Sequence, residues 1–490
     1  MKKITFPLLV LAFFVWLIPC VSAQSQNNNS VTLVNSQETL TPVPTESKAA
    51  ATDKYDLYIY ALAAPFETIS DNVSFTDLNE FWKNADTSFS TKKIAVSADS
   101  MTELQSIFGG EAGKGIEVIN GTDWAEQALS EGDWAILPFE TIDPRWKIVM
   151  IDNDSPIHKD FKPETWPLSA KQFSENASKK ILNRDPEKLT TMVLTGVTAM
   201  VRGTASYMDI DPLYPASKIR EPLIQADILH VNNEVPFAKS CQESGEQVET
   251  LHFCSKTAYM KLLKDIGVDV VELDGDHFQD FGTEPVYYTL QLYKDNQMKY
   301  YGGGENKAEA QKPLLITDHG NRFAFIGCNG KEIGYAPASD TVPGAVHCDM
   351  DLITKQIKEL KSEGIIPIMT FQHVEVYKVL PVDAMKADFE KAADAGAVIV
   401  SGSQSHIPMS FDLTKEHFIH FGLGNLFFDQ AFFLPETSEA FIDRHVFYDG
   451  KYISTELLTI KFTNMALSRF MTEDERTALL SRIFKVSSVN

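Results

Sequence analysis

The sequence predicts an α/β protein in which a larger layered α/β domain follows a smaller one, and three observations lead there. The chain has 490 residues, 44% hydrophobic and 23% charged, enough for two or three domains of ~100–200 residues with substantial cores. Short apolar runs alternate with helical stretches along nearly the whole body. In the second half those runs end in polar clusters, the pattern of strands whose carboxyl ends carry a site. The 44 Lys and Arg against 67 Asp and Glu leave a formal charge of −23. That balance excludes nucleic acid or an anionic membrane surface as the principal partner, since both require a basic face. The composition also excludes a disordered chain, a collagen-like repeat and a multi-span membrane protein.

Residues 1–23 have the layout of a secretory signal peptide: Lys2 and Lys3, an apolar run from Ile4 to Val21, and the small-residue exit Val21-Ser22-Ala23. Cleavage there removes two lysines and takes the charge from −23 to −25. An uncleaved anchor is the alternative, because ~18 apolar residues nearly span a bilayer. Either way the body is expected outside the cytoplasm, secreted or at the cell surface, with a membrane tether through the N-terminus in the second case. Residues 24–52, rich in Ser, Thr, Asn, Gln and Pro, read as a disordered linker. Export suits the cysteines: beyond Cys20 there are four, in two local pairs, Cys241 with Cys254 and Cys328 with Cys348. An oxidising compartment and short loops favour those two disulfides, and no C-x-x-C pair supports zinc.

From 53 to 180 the runs DLYIYALAA, KKIAVSA, GIEVING, WAILPF and KIVMIDN predict strands, and SMTELQSIFGG and TDWAEQALSEG predict helices between them. This small α/β domain loosely resembles one lobe of a solute-binding protein, a likeness of fold that assigns no function. Its acidic and aromatic residues, among them Trp134, Glu140, Asp143 and Trp146, show no catalytic spacing. The polar stretch 171–189 reads as the connection to the second domain.

The βα rhythm resumes over 188–465, and residues 466–490 read as a C-terminal helix and tail. Five strands run apolar and finish in polar residues: Asn232, Asn233 and Glu234; Asp274, Asp276 and His277; Gln372, His373 and Glu375; Ser403, Gln404 and His406; and Gly424 and Asn425, with Asp429 beyond. Loops at the carboxyl ends of neighbouring strands converge side chains distant in sequence, so one shared site is expected. Imidazoles with carboxylates and carboxamides suit a divalent-metal hydrolase, in which the ion makes hydroxide available near neutral pH. The sequence carries no GxSxG elbow, Walker loop or dinucleotide fingerprint. Gly302-Gly303-Gly304 reads as a tight turn, since it lacks the phosphate-loop lysine.

In order and spacing these motifs resemble the bacterial capsule-synthesis CapA family, whose fold is similar to that of calcineurin-like metallophosphoesterases, over nearly all of 188–430. The family pattern runs Gly-Asp with a following Arg, Asn-Leu-Glu, Asn-Asn-His with Asp and Gly after it, a Gly-rich turn, His-Trp-Gly, Gly-His-His-Pro-His, and Gly-Asn-Phe-x-Phe-Asp. Here those positions read TGVTAMVRG, VNNEVPF, LDGDHFQDFG, YYGGG, FQHVEVY, SGSQSH and GLGNLFFD. Val197 replaces the Asp of Gly-Asp, Asp276 replaces the Asn before the motif His, and Ser403 and Gln404 replace the first two histidines of Gly-His-His-Pro-His.

The resemblance implies a metallophosphoesterase-like layered α/β domain and a metal set drawn from Glu234, Asp276, His277, His373 and His406, suited to a single divalent metal ion. It implies catalytic roles for His277, His373 and Asp276, and substrate contacts from Arg202, Asn232 and Asn425. Arg202 would clamp an anionic group such as phosphate or carboxylate, or else form an ordinary interdomain ion pair. The resemblance leaves two functions open. In the first, the chain is an extracytoplasmic, metallophosphatase-like protein of capsule or poly-γ-glutamate biosynthesis, with the surface polymer or its biosynthesis machinery as partner. In the second, it is a catalytically degenerate surface binding or assembly factor for a polymer or glycan. The missing ligands favour the second and the retained cluster favours the first. No nucleic-acid partner is expected.

Overall fold

The structure is a computed structural model that describes residues 54–84, 93–241, 251–331, 334–430 and 434–490. The signal-peptide and linker readings of residues 1–52 lie outside the described residues.

Strand alternation builds the larger part. In the strand Leu189–Thr195, Met192 and Leu194 pack into one core while Val193 packs into another, because successive side chains leave a strand on opposite faces. Ile228 and Leu229 divide the same way, as do Val270 and Val271. These strands belong to a seven-stranded sheet ordered Lys299–Tyr301, Val270–Glu272, Ile228–Asn232, Leu189–Thr195, Glu439–Tyr448, Lys451–Thr463, Leu467–Phe470. A second seven-stranded sheet is ordered Leu314–Asp318, Asn321–Asn329, Ile366–Gln372, Ile399–Gly402, Phe418–His420, Phe411–Leu413, Ser488–Val489. Its Phe323, Phe325, Ile366, Ile368 and Ile399 meet Met192, Leu194, Ile228 and Val270 in one core between the sheets.

The outer faces are covered by helices. Leu262, Leu263, Val286 and Leu290 pack on the first sheet, and Ile353, Ile357, Met385 and Phe389 on the second. The result is a four-layer α/β/β/α order, the layered α/β architecture that the motif resemblance implies. Strands covered on both faces read as near-continuous apolar runs, which is why IIPIMTF and AVIVSG stand out in the sequence.

The N-terminal part is a six-stranded sheet ordered Ile116–Ile119, Ile94–Ser97, Trp134–Pro138, Tyr55–Pro65, Trp146–Ile148, with Ser169–Phe173 also pairing to Tyr55–Ile59. The polar stretch expected as a connection therefore opens as an outer strand, with Lys171, Gln172 and Phe173 exposed. Outer strands carry polar side chains because nothing covers them. The helices Met101–Phe108 and Trp124–Glu131 end at Gly109 and Gly132, whose φ of 71° and 74° form left-handed caps that a side chain would strain.

Residues 53–490 form one compact unit. Two carboxylates fasten the small sheet to the large body: Glu456 accepts from Arg444 (2.6 Å) and pairs with His158 (3.0 Å), and Asp71 accepts from Arg476 (2.6 Å) and Lys147 (2.5 Å). Both expected disulfides, Cys241–Cys254 and Cys328–Cys348, are present. The helix Glu473–Phe484 starts in a Thr472/Glu475 capping box and buries Leu479, Leu480 and Ile483, and Ser488–Val489 then pairs with Asp412–Leu413.

Burial opposes ionisation of Glu456, but Arg444 and His158 outweigh it and hold its carboxyl down at about 2. A depressed carboxylate contributes stability that is complete above its ordinary pKa of ~4.3 and is lost as pH falls through the folded value. Glu456→Gln is therefore expected to flatten the acid limb of the stability profile between about pH 5 and pH 2, read from urea midpoints at stepped pH. An unchanged limb would show that this group does not hold the seam.

Candidate functional site

Polar side chains enter the inter-sheet layer by the same alternation that builds it. His230 and Asn232 continue the face of Ile228, Glu272 continues that of Val270, and Thr370 and Gln372 continue that of Ile366 and Ile368. The layer is thus apolar along the strands and polar at their carboxyl ends. Gly275 lets the loops converge: a Cβ there would stand 2.6 Å from the Glu234 carbonyl oxygen, so Asp274-Gly275-Asp276 lies directly against the Asn232–Glu234 turn. Asn233 N–H donates to Glu272 O (3.1 Å) and Glu234 N–H to Thr198 O (3.0 Å), fixing that turn.

Glu234, Asp276 and His277 each offer one donor atom, all within 4.8 Å of one another. Gln372 sits behind them. Its amide nitrogen donates to Glu234 Oε1 (3.1 Å), lies 3.3 Å from Asp276 Oδ1 and bonds to Gln404 Oε1. Its carbonyl oxygen accepts from Asn232 Nδ2 (3.2 Å) and lies 3.1 Å from Ser403 Oγ, which donates to Glu272 Oε1 (2.5 Å). Ser403 and Gln404, at positions where the family pattern has histidine, therefore act here as hydrogen-bonding members of a buried network.

Lys331 is the residue that sequence reasoning missed. Its ammonium lies 2.5 Å from Asp276 Oδ2 and 4.0 Å from Glu375 Oε2, with the side chain only 14% exposed. Asn329 Oδ1 accepts from the Lys331 N–H (2.9 Å) and sets where the side chain leaves the strand Asn321–Asn329. The signal was available, because FAFIGCN also runs apolar and then ends in Asn329 and Lys331.

The electrostatics follow from this packing. Burial and the charge of Asp276 push the Glu234 carboxyl up. Burial also opposes ionisation of Asp276, but His277 and Lys331 beside it hold its carboxyl below the usual range. Burial pulls His277 down, yet its hydrogen bond to Asp280 (2.7 Å) and the charges of Glu234 and Asp276 carry it to about 9.

The other expected residues sit at different distances from this group. His406 Nδ1 donates to Asn425 Oδ1 (2.9 Å), and its Nε2 is 3.5 Å from Glu375 Oε1, so Glu375 links His406 to Lys331. Burial holds His406 below its ordinary value. Asn425 is fully buried, with its amide directed at Gln430 and the Thr437 carbonyl. Asn232 reaches the group through Gln372. Arg202 stands at φ 51°, its guanidinium 4.7 Å over Phe253 and 5.3 Å over Phe428, and the Phe253 ring lies edge-on to His277 at 4.8 Å. His373 pairs with Asp388 (3.1 Å) on the helix Asp383–Ala395 and lies outside the three-residue group.

Two carboxylates and an imidazole match one divalent ion in number and type, and Glu234 Oε2, buried without a hydrogen-bond partner, has a lone pair to give. Lys331 competes for the same carboxylate. An ion at this group has to displace the ammonium from Asp276 and the second ring proton from His277.

Comparison with known proteins places residues 180–430 in the family described as bacterial capsule synthesis protein PGA_cap. The chain is 26% identical over 279 residues to the capsule biosynthesis protein CapA of Bacillus anthracis, covering 56% of this chain and 67% of that one. It is 25% identical over 237 residues to the PGA biosynthesis protein CapA of Bacillus subtilis, covering 47% of this chain and 60% of that one. Among solved structures, the calcineurin-like phosphoesterase YfkN from Bacillus subtilis gives a TM-score of 0.36 at 10% identity, covering 60% of this chain and 97% of that one. The NAD nucleotidase NadN of Haemophilus influenzae gives 0.33 at 10% identity, covering 62% and 57%. Likenesses so distant carry no weight in assigning a function.

Lys331→Met removes the competing ammonium and takes from the buried Asp276 its lysine partner, leaving His277 as the positive group beside it. Without added ion this variant is expected to lose about 3 kcal/mol of stability, the lower end for breaking a buried pair. Its affinity for Mn²⁺, measured by calorimetry, is expected to rise by about tenfold or more as the ion replaces the missing charge. Equal affinity in variant and wild type would show that lysine and ion do not share the carboxylate.

Proposed function

The chain belongs to the bacterial capsule synthesis protein PGA_cap family, and we propose that it works outside the cytoplasm in capsule or poly-γ-glutamate biosynthesis as a metallophosphatase-like protein. One observation carries this reading: the Glu234, Asp276 and His277 group lies at converging strand ends inside the family-matched segment. Those three residues are the proposed holders of a single divalent ion. When bound, such an ion supplies Lewis-acid polarisation of a phosphoryl oxygen.

The chain's own residues define what meets that ion. Gln372 orients Glu234 and Asp276 from behind, and Asp280 fixes the ring of His277. Once displaced from Asp276, Lys331 is free to pair with an anionic group of the substrate, and Arg202 adds positive charge one aromatic ring away. Local cations matter because the chain carries −23 overall, so its bulk surface repels an anionic polymer and productive contact has to be local.

The polymer or its biosynthesis machinery is the proposed partner. Two disulfides support an extracytoplasmic setting, and none of the described helices is long and apolar enough to cross a membrane. Export through residues 1–23, a linker over 24–52, and a division into 53–180, 188–465 and 466–490 complete the proposed organisation.

A deletion strain carrying the wild-type gene is expected to regain its surface polymer, while one carrying Asp276→Asn/His277→Ala is not. Full restoration by that double variant would instead make the protein a binding or assembly factor. Because His373 is paired with Asp388, His373→Ala is expected to keep ion binding that His277→Ala loses, measured by calorimetry on the purified proteins.

A further inference from the structure

Behind the group just described lies a second set of oxygens that its chemistry does not use. Glu272 and Asp274 are both 0% exposed. Asp274 and Glu272 are direct neighbours, and Asn232, Ser403 and Thr370 lie beside the Glu272 carboxyl. Gly275 separates the two aspartates: Asp276 meets Lys331, whereas Asp274 turns into the sandwich toward Gly327, where a Cβ would stand 2.8 Å from Asp274 Oδ2 and 3.1 Å from Thr370 Oγ1.

The inner set lacks positive charge. Among the described residues no lysine or arginine pairs with Glu272 or Asp274; the nearest basic group is His230, 3.6 Å from Glu272 Oε2. Its Nε2 is engaged by Tyr301 OH (2.7 Å), which is bonded in turn to Thr370 Oγ1 (2.7 Å). Both oxygens of Asp274, Oε2 of Glu272, Oδ1 of Asn232 and Oε2 of Glu234 are buried without a hydrogen-bond partner in normal geometry. Buried carboxylates do not persist uncompensated. A proton shared by Asp274 and Glu272, with the Cys328 backbone N–H beside Asp274, answers part of this set, whereas a cation answers several of its oxygens at once.

We infer that Asp274 and Glu272, with Asn232 and the Thr370 hydroxyl, form an inner cation site between the two sheets, separate from the Glu234, Asp276 and His277 group. The proposed donors are all oxygen, the nearby His230 Nε2 being engaged by Tyr301 OH, which selects a hard cation such as Ca²⁺, Mg²⁺ or Mn²⁺. Its burial makes it a structural ion that closes the polar end of the sandwich. The inference rests on this packing alone and stands whether or not the outer group is catalytic.

The test uses the full mature chain, dialysed against metal-free buffer at neutral pH and assayed by elemental analysis and native mass spectrometry. About one hard divalent ion per chain is expected. It should persist in Asp276→Asn/His277→Ala and fall by about tenfold or more in Glu272→Gln/Asp274→Asn. Wild-type protein refolded in chelator should melt at a lower temperature than protein refolded with Ca²⁺, Mg²⁺ or Mn²⁺. Two outcomes overturn the inference: a wild type without ion whose melting ignores these cations, or an ion that leaves with the Asp276→Asn/His277→Ala variant. If the inner double variant does not fold, the ion content and chelator response of the wild type decide alone.

Discussion

The contact between the two seven-stranded sheets governs everything else in the molecule. Along most of its length it is made of Met192, Leu194, Ile228, Val270, Phe325, Ile366 and Ile368, each contributing roughly 1.5–3 kcal/mol when fully buried. At the carboxyl ends the same face carries His230, Asn232, Glu272, Thr370 and Gln372, where the sheets still touch but through polar side chains, with Tyr301 and Phe325 packed against His230. A sandwich that ends in polar side chains has to satisfy them internally, because water does not reach them. That requirement turns one end of an ordinary core into a site.

Much of this was legible in the sequence for a simple reason. Strands covered on both faces leave continuous apolar runs, and the runs in this chain mark most of the strands of the two large sheets. The polar residues that close those runs marked where loops converge, and Glu234, Asp276 and His277 do converge. What the sequence did not disclose was direction. His373 follows its strand as His277 follows Leu273 and its neighbours, yet it turns to Asp388 and away from the group. Nothing in the spacing of one histidine after a strand fixes which side of the sheet its ring takes.

Lys331 was missed for a different reason. A lysine in a loop after a strand is ordinarily a solvated charge, and only the packed structure shows that this one is 14% exposed against two carboxylates. The first three residues of the polar stretch 171–189 belong to a strand although its composition is that of a loop, because a strand at the outside of a sheet needs no apolar neighbours to pair through its backbone.

Gln372 shows why the departures from the family pattern belong together. Its amide nitrogen meets Glu234, Asp276 and Gln404, and its carbonyl oxygen meets Asn232 and Ser403. A carboxylate in its place would add a third buried negative charge beside Glu234 and Asp276, and an apolar side chain would take a hydrogen bond from five polar partners. Only a group that both donates and accepts joins the two halves. Histidines at 403 and 404 coordinating an ion would have no need of such a bridge, whereas Ser403 and Gln404 do. The Ser403 and Gln404 contacts through Gln372 and the Lys331 ammonium on Asp276 therefore act in one direction: the chain supplies from its own residues part of the charge and hydrogen-bond balance of this buried end.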